Sequence, residues 1–136
     1  MPVDIIVDEN IIEYNNVNNL LKSKFPDFEF DTEYEDLPYL IAMDFAKYIM
    51  KNISENNYNK ANECFEFIEA LHLYGTKETK NLATIGYLED LQNYLLNYKL
   101  KKEYKIIKNK YLHKESKMWW KKLEKFWKGN KKALQY

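Results

Sequence analysis

Tyr58-Asn-Lys-Ala-Asn-Glu-Cys-Phe-Glu-Phe-Ile-Glu-Ala-Leu-His-Leu-Tyr74, then Gly75-Thr76, then Lys77 to Asn97, is the stretch from which the fold is read. Ala61, Cys64, Phe65, Ile68 and Leu71, with His72, recur at three- and four-residue spacing, which predicts a helix with one buried face. Gly75 stands where a C-terminal helix glycine belongs. Thr76 is placed to cap the next helix. The residue three further on is Thr79, so there is no capping box. Glu78 puts a negative charge in the first turn, where the helix dipole favours it. The second stripe is Leu82, Ile85, Leu88, Leu91 and Leu95. Two helices joined by a tight turn predict one HEAT-like hairpin, and no second copy of the pattern supports a repeat array.

The flanks follow the same logic. Ile11, Ile12, Tyr14, Val17, Leu20, Leu21 and Phe25 predict a helix from Glu9 to Phe25, stopped by Pro26. Asp36 as N-cap and Pro38 in the first turn predict another, to about Ile53, burying Leu40, Ile41, Phe45, Tyr48 and Ile49. Leu100 to Leu112 predicts a helix around Tyr104, Ile106, Ile107 and Tyr111. Ser116 is placed to cap a last helix that ends at Gly129. Its buried stripe is read as Trp119, Leu123, Phe126 and Trp127, with lysine stems along the edges. Only three Gly and three Pro interrupt 136 residues. The expectation is an all-α, single-domain bundle of five or six helices over residues 1–130, with a frayed tail at 131–136. Phe65, Ile68, Leu71, Ile85, Leu88 and Leu91 are its expected centre. Gly86 is expected to admit a close neighbour, Trp119 or Trp120 of the last helix.

The formal net charge is zero, yet the charges are segregated. Residues 1–96 hold 18 Asp and Glu against 7 Lys, a balance of −11, and residues 97–136 hold 14 Lys against 3 Asp and Glu, a balance of +11. Either the two parts neutralise each other in the fold, or they meet charged partners. Every cation is Lys. Planar bidentate recognition of phosphate or guanine uses Arg, so sequence-specific nucleic-acid reading is disfavoured. Lysines around Trp119, Trp120 and Trp127 leave nonspecific nucleic-acid binding as a rival reading. Cys64 is the only cysteine, so no internal disulfide is possible. No signal peptide or membrane-length apolar run occurs, and a reducing cytoplasm is the expected compartment.

Asp27-Phe-Glu-Phe-Asp-Thr-Glu-Tyr-Glu-Asp36 alternates carboxylates with aromatics. With no second strand to pair it, it reads as an ordered extended loop. Asp27, Glu29, Asp31, Glu33, Glu35 and Asp36 form an acidic, partner-facing strip. The loop lacks the glycine and spacing of an EF-hand, and no metal or cofactor is expected. Glu66 and Glu69, three apart on a helix, are assigned to the same partner-facing set. The Glu-x-x-His pairs of carboxylate metal bundles do not accompany them. His72 reads as a packed histidine, His113 as a solvated one and Cys64 as a buried inert thiol. No Ser-His-Asp, Cys-His or glycine-rich phosphate motif assembles, so binding is favoured over catalysis.

Several phrases carry a resemblance. Phe25-Pro26-Asp27-Phe28, Tyr34-Glu35-Asp36-Leu37-Pro38-Tyr39 and Asp44-Phe45-Ala46 open it. Phe65-Glu66-Phe67-Ile68-Glu69 and Asn81-Leu82 with Ile85-Gly86-Tyr87-Leu88-Glu89-Asp90-Leu91-Gln92 form its middle. Trp119-Trp120-x-x-Leu123 and Phe126-Trp127 close it. Together they resemble a family of small helical bacterial proteins of unknown function. Its members are similar to toxin-associated proteins, among them immunity proteins of contact-dependent growth inhibition and polymorphic toxin systems. The resemblance implies a noncatalytic protein whose partner is a cognate toxin domain, and it brings no catalytic residues. A helical adaptor that uses the same surfaces is the alternative.

Overall fold

The computed structural model of the chain describes residues 11–129. Six helices fill that span, which is all-α apart from one isolated parallel bridge between Ile12 and Gly75. Helix α1 is Val17–Lys24, entered through a 3-10 turn at Tyr14–Asn16. Helix α2 is Pro38–Ser54 and α3 is Tyr58–Tyr74. Helix α4 covers 77–97, as Lys77–Asn81, a π-helical stretch Leu82–Leu88, and Glu89–Asn97. Helix α5 covers 101–111, with Lys101–Ile106 continuing into a π turn, Ile107–Tyr111. Helix α6 is Lys114–Trp127. Among the described residues, no helix is long and apolar enough to cross a membrane. The tail expected at 131–136 lies outside the described residues.

The hairpin of α3 and α4 is present. His72 meets Thr84 and Phe67 meets Tyr87, so the numbering falls along one helix as it rises along the other. Thr76 caps α4, its hydroxyl accepting from the Thr79 amide at 3.3 Å. Gly75 departs from expectation, because its φ of −80° and ψ of 156° are extended rather than left-handed. Space, not conformation, demands glycine there. A Cβ would fall on the Leu71 carbonyl and lie 2.6 Å from Thr79 Cγ2.

The N-terminal segment braces this turn. The Ile12 amide donates to the Tyr74 carbonyl at 2.7 Å, and its own carbonyl accepts from the Thr76 amide at 3.2 Å and the Thr79 hydroxyl at 2.9 Å. That pairing holds Ile12 extended, which suits a β-branched residue. The first α-helix therefore starts at Val17 and not at Glu9, which lies outside the described residues. Its end follows expectation. Phe25, before Pro26, has φ −126° and ψ 72°, off the helical region as a residue preceding proline should be.

An aromatic cluster fills the middle. The Phe45 ring lies 5.3 Å from those of Phe25 and Phe28 and 5.6 Å from those of Tyr48 and Tyr87. Phe65, Ile68, Leu71, Leu88 and Leu91 are buried as the periodicity implies, while Ile85 is only half-buried. It falls in the π stretch, where the added residue per turn shifts the face toward Tyr87 and Leu88. Gly86 faces α2 rather than a tryptophan. A Cβ there would meet Leu82 Cδ1 at 3.0 Å, Tyr39 Cδ1 at 3.3 Å and Ala42 Cβ at 3.5 Å.

Four boundary and packing expectations shift. Leu37, not Asp36, flanks the start of α2, with Pro38 as first residue, and Leu40 is exposed. His113 flanks the start of α6, and Ser116 is its third residue. The buried pair of α6 is Trp120 and Leu123, whereas Trp119 and Phe126 are half-buried and Trp127 is 56% exposed. Contact with α5 sets this rotation, since the Trp120 ring lies 5.1 Å from that of Tyr104.

Candidate functional site

The loop between α1 and α2 is ordered by its aromatics. Phe28 is buried, its ring 5.1 Å from that of Tyr48 and 5.3 Å from that of Phe45. Phe30 and Tyr34 are half-buried. The alternation of the sequence then sends Asp27, Glu29, Asp31, Glu33, Glu35 and Asp36 outward, and all six are exposed. Three of them also fix the loop. Asp27 Oδ1 accepts from the Tyr48 hydroxyl at 2.8 Å, and Asp31 Oδ1 accepts from the Glu33 amide at 3.0 Å, capping a 3-10 turn at Thr32–Tyr34. Glu35 pairs with Lys22 at 2.9 Å, while its carbonyl accepts from Asn18 Nδ2 at 2.7 Å. Between the loop and α2 lies an open groove of about 680 Å³, lined by Asp27, Glu29, Asp44, Lys47, Tyr48 and Lys51 among others.

Among the described residues, no ion pair joins the acidic part to the basic part. The ion pairs among them are Lys22–Glu35, within the acidic part, and Lys108–Glu124 at 2.8 Å, within the basic part. A different device joins them. The Glu69 carboxylate accepts from the Glu115 amide at 3.0 Å, the Ser116 amide at 2.9 Å and the Ser116 hydroxyl at 2.8 Å. These are the first-turn donors of α6, and the charge sits at the positive end of the helix dipole. Glu69 is therefore buried as an internal cap, 8% exposed, and not a member of the outward-facing set. Glu66, half-buried on the same helix, borders a small groove with His113 and Lys114.

The network continues inward. His72 Nδ1 lies 3.1 Å from the Ile68 carbonyl and 3.1 Å from Ser116 Oγ, and Nε2 lies 3.0 Å from Thr84 Oγ1. The carbonyl only accepts and the serine proton goes to Glu69, so Nδ1 carries the imidazole proton and Nε2 accepts from Thr84. Burial, opposed in part by Glu69, pushes His72 from 6.5 down to about 4, which leaves the ring neutral at pH 7. Serine, histidine and glutamate thus meet, but not in the order of a hydrolase. The carboxylate holds the serine instead of the imidazole, and Ser116 is 1% exposed. Burial also raises the Cys64 thiol well above its ordinary range.

One exposed feature lay outside the sequence reading. Leu37, Leu40 and Met43 are 46%, 40% and 49% exposed and follow one another at three-residue spacing. The sequence holds it only as a second apolar stripe on α2 beside Ile41, Phe45 and Ile49, with nothing local to say which stripe is covered.

The fold and this surface define a class of protein, the single-domain helical bundle whose ordered acidic loop projects outward beside an apolar helix face. Within that class the chain belongs to the family described as a domain of unknown function, DUF7674, whose pattern matches residues 18–128. No curated protein and no solved structure matches it significantly.

Proposed function

We propose that the chain is a noncatalytic immunity protein that binds a basic bacterial toxin domain, of the nuclease type, and neutralises it by covering the basic surface. The observation that carries the reading is the loop of 27–36, whose aromatics are anchored while all six carboxylates face outward. A strip already ordered loses little entropy on binding. Its charge attracts a surface built to hold a phosphate backbone and accelerates encounter. The resemblance of the phrases around Phe25 to Asp44 and Asn81 to Gln92 to toxin-associated proteins supplies the choice of partner.

The test is co-expression with the products of adjacent reading frames, capture of the complex, and binding kinetics at two salt concentrations. A triple variant, Glu33→Lys, Glu35→Lys and Asp36→Lys, is expected to associate more slowly at low salt with an unchanged fold. An unchanged on-rate would remove the strip from the interface. No binding by the wild-type chain to any neighbouring product would replace the immunity reading with that of an adaptor for another partner.

A further inference from the structure

A groove of about 300 Å³ opens where α4 turns into α5, floored by Leu95, Leu96, Leu100 and Tyr104. Leu96 is 62% exposed, and the exposed Lys99, Lys101 and Lys105 stand around it. Lys99 has φ +56°, in the left-handed region. A residue with a Cβ is disfavoured there by about 1–2 kcal/mol, so local conformation alone would favour glycine. The groove is apolar with a cationic rim.

The exposed row Leu37, Leu40 and Met43 is its counterpart, and the exposed Glu33, Glu35 and Asp36 directly precede it in the chain. The row starts at the N-terminal end of α2 and reaches Met43, whereas the groove lies past the C-terminal end of α4. Helices α2 and α4 run side by side in the same direction, because Tyr39 and Ala42 lie against Gly86 while Met50 and Ile53 share a groove with Tyr94 and Leu100. At 1.5 Å per residue, Leu37 at the start of α2 lies about 25 Å from its end, and Met43 about 16 Å from it. Within one molecule none of Leu37, Leu40 and Met43 lines the groove, although Met43 borders a neighbouring one with Asn97 and Tyr98.

We propose that the groove receives the Leu37–Leu40–Met43 row of a second copy, giving head-to-tail association with Glu33, Glu35 and Asp36 opposite Lys99, Lys101 and Lys105. Charge complementarity selects this occupant, since each molecule carries both signs in separate places and its net charge is zero. A contact between unlike patches repeats from copy to copy, as a ring or an open chain. The mainly apolar floor and the absence of Arg make the groove a poor phosphate track. The inference extends beyond the proposed function, and a toxin on the acidic strip would compete with it.

The experiment uses the chain alone, so its result is independent of any toxin. Mass is measured by light scattering and sedimentation over a concentration series in sodium chloride. The two conditions are about 0.01 M, where the Debye length is about 30 Å, and about 1 M, where it is about 3 Å. Mass is expected to rise with concentration at low salt and to fall toward that of the monomer at high salt. Strip reversal (Glu33→Lys, Glu35→Lys, Asp36→Lys) and groove reversal (Lys99→Glu, Lys101→Glu, Lys105→Glu) should each give a monomer. Mixing the two variants should restore association, because each then presents a strip opposite in sign to the other's groove. Restoration also excludes misfolding as the cause of the losses. A wild-type monomer throughout, or association indifferent to both reversals, would overturn the proposal. So would an oligonucleotide that binds the monomer and is lost on groove reversal, which would assign the groove to nucleic acid.

Discussion

The Glu69 carboxylate and Ser116 are joined twice, through the serine amide at 2.9 Å and its hydroxyl at 2.8 Å. This contact fastens the basic C-terminal helix to the acidic body without a lysine. It also orders the polar chain that runs through His72 to Thr84.

Glu69→Ala is expected to cost about 3 kcal/mol, because it removes a helix cap and leaves buried donors without an acceptor. For a domain of this size that lowers Tm by roughly 10 °C. Amide hydrogen exchange should rise first along Lys114–Trp127. Equal protection in the variant and the parent would show that α6 is held by packing alone.

His72 gives the fold an acid-sensitive element. Its folded-state pKa of about 4 lies below the ordinary 6.5, so the unfolded chain takes up the proton first. Stability from this residue is complete above about pH 6.5 and is lost as pH falls toward 4, to an extent of about 3 kcal/mol. Asp90 works in the opposite sense. Burial, and then Glu89, raise it from 3.8 to about 7, so its ionisation weakens the fold as pH rises through 7. Because it is partly solvated, the effect is discounted to about 1 kcal/mol. Denaturant melts between pH 4 and 7 are expected to show a steeper acid loss in Asp90→Asn than in the parent. His72→Gln should flatten it. Parallel pH profiles for all three chains would refute both assignments.

Gly75→Ala is expected to destabilise by about 2–3 kcal/mol, although φ there suits any residue. The added methyl must displace the Leu71 carbonyl or Thr79, and with them the bonds to Ile12. Thermal unfolding checks this, and a variant as stable as the parent would show that the turn has room to relax.

Tyr87→Phe is expected to raise stability by about 1 kcal/mol. The Tyr87 hydroxyl is buried with no hydrogen-bond partner among the described residues, while its ring packs edge-on against Phe45 at 5.6 Å. The substitution keeps the ring and removes the orphaned polar atom. A lower denaturation midpoint would reveal a partner for the hydroxyl.

Local pattern along the chain sets the helical class, the bounds of α3, the Thr76 cap and the exposure of the loop carboxylates. Each rests on near neighbours: a helical stripe at three and four residues, a cap at three, an alternation at two. What tertiary structure alone decided lies at long range. The cap of α6 comes from Glu69, 47 residues before Ser116, and the α3–α4 turn is braced by Ile12, whose carbonyl accepts from the Thr79 hydroxyl 67 residues on. Local periodicity also leaves open which of two apolar stripes on α2 is covered, so Leu37, Leu40 and Met43 emerged as a surface only once Ile41, Phe45 and Ile49 were seen filling the core. Caps, close approaches and exposed faces are set by whichever distant segment the packed bundle brings near.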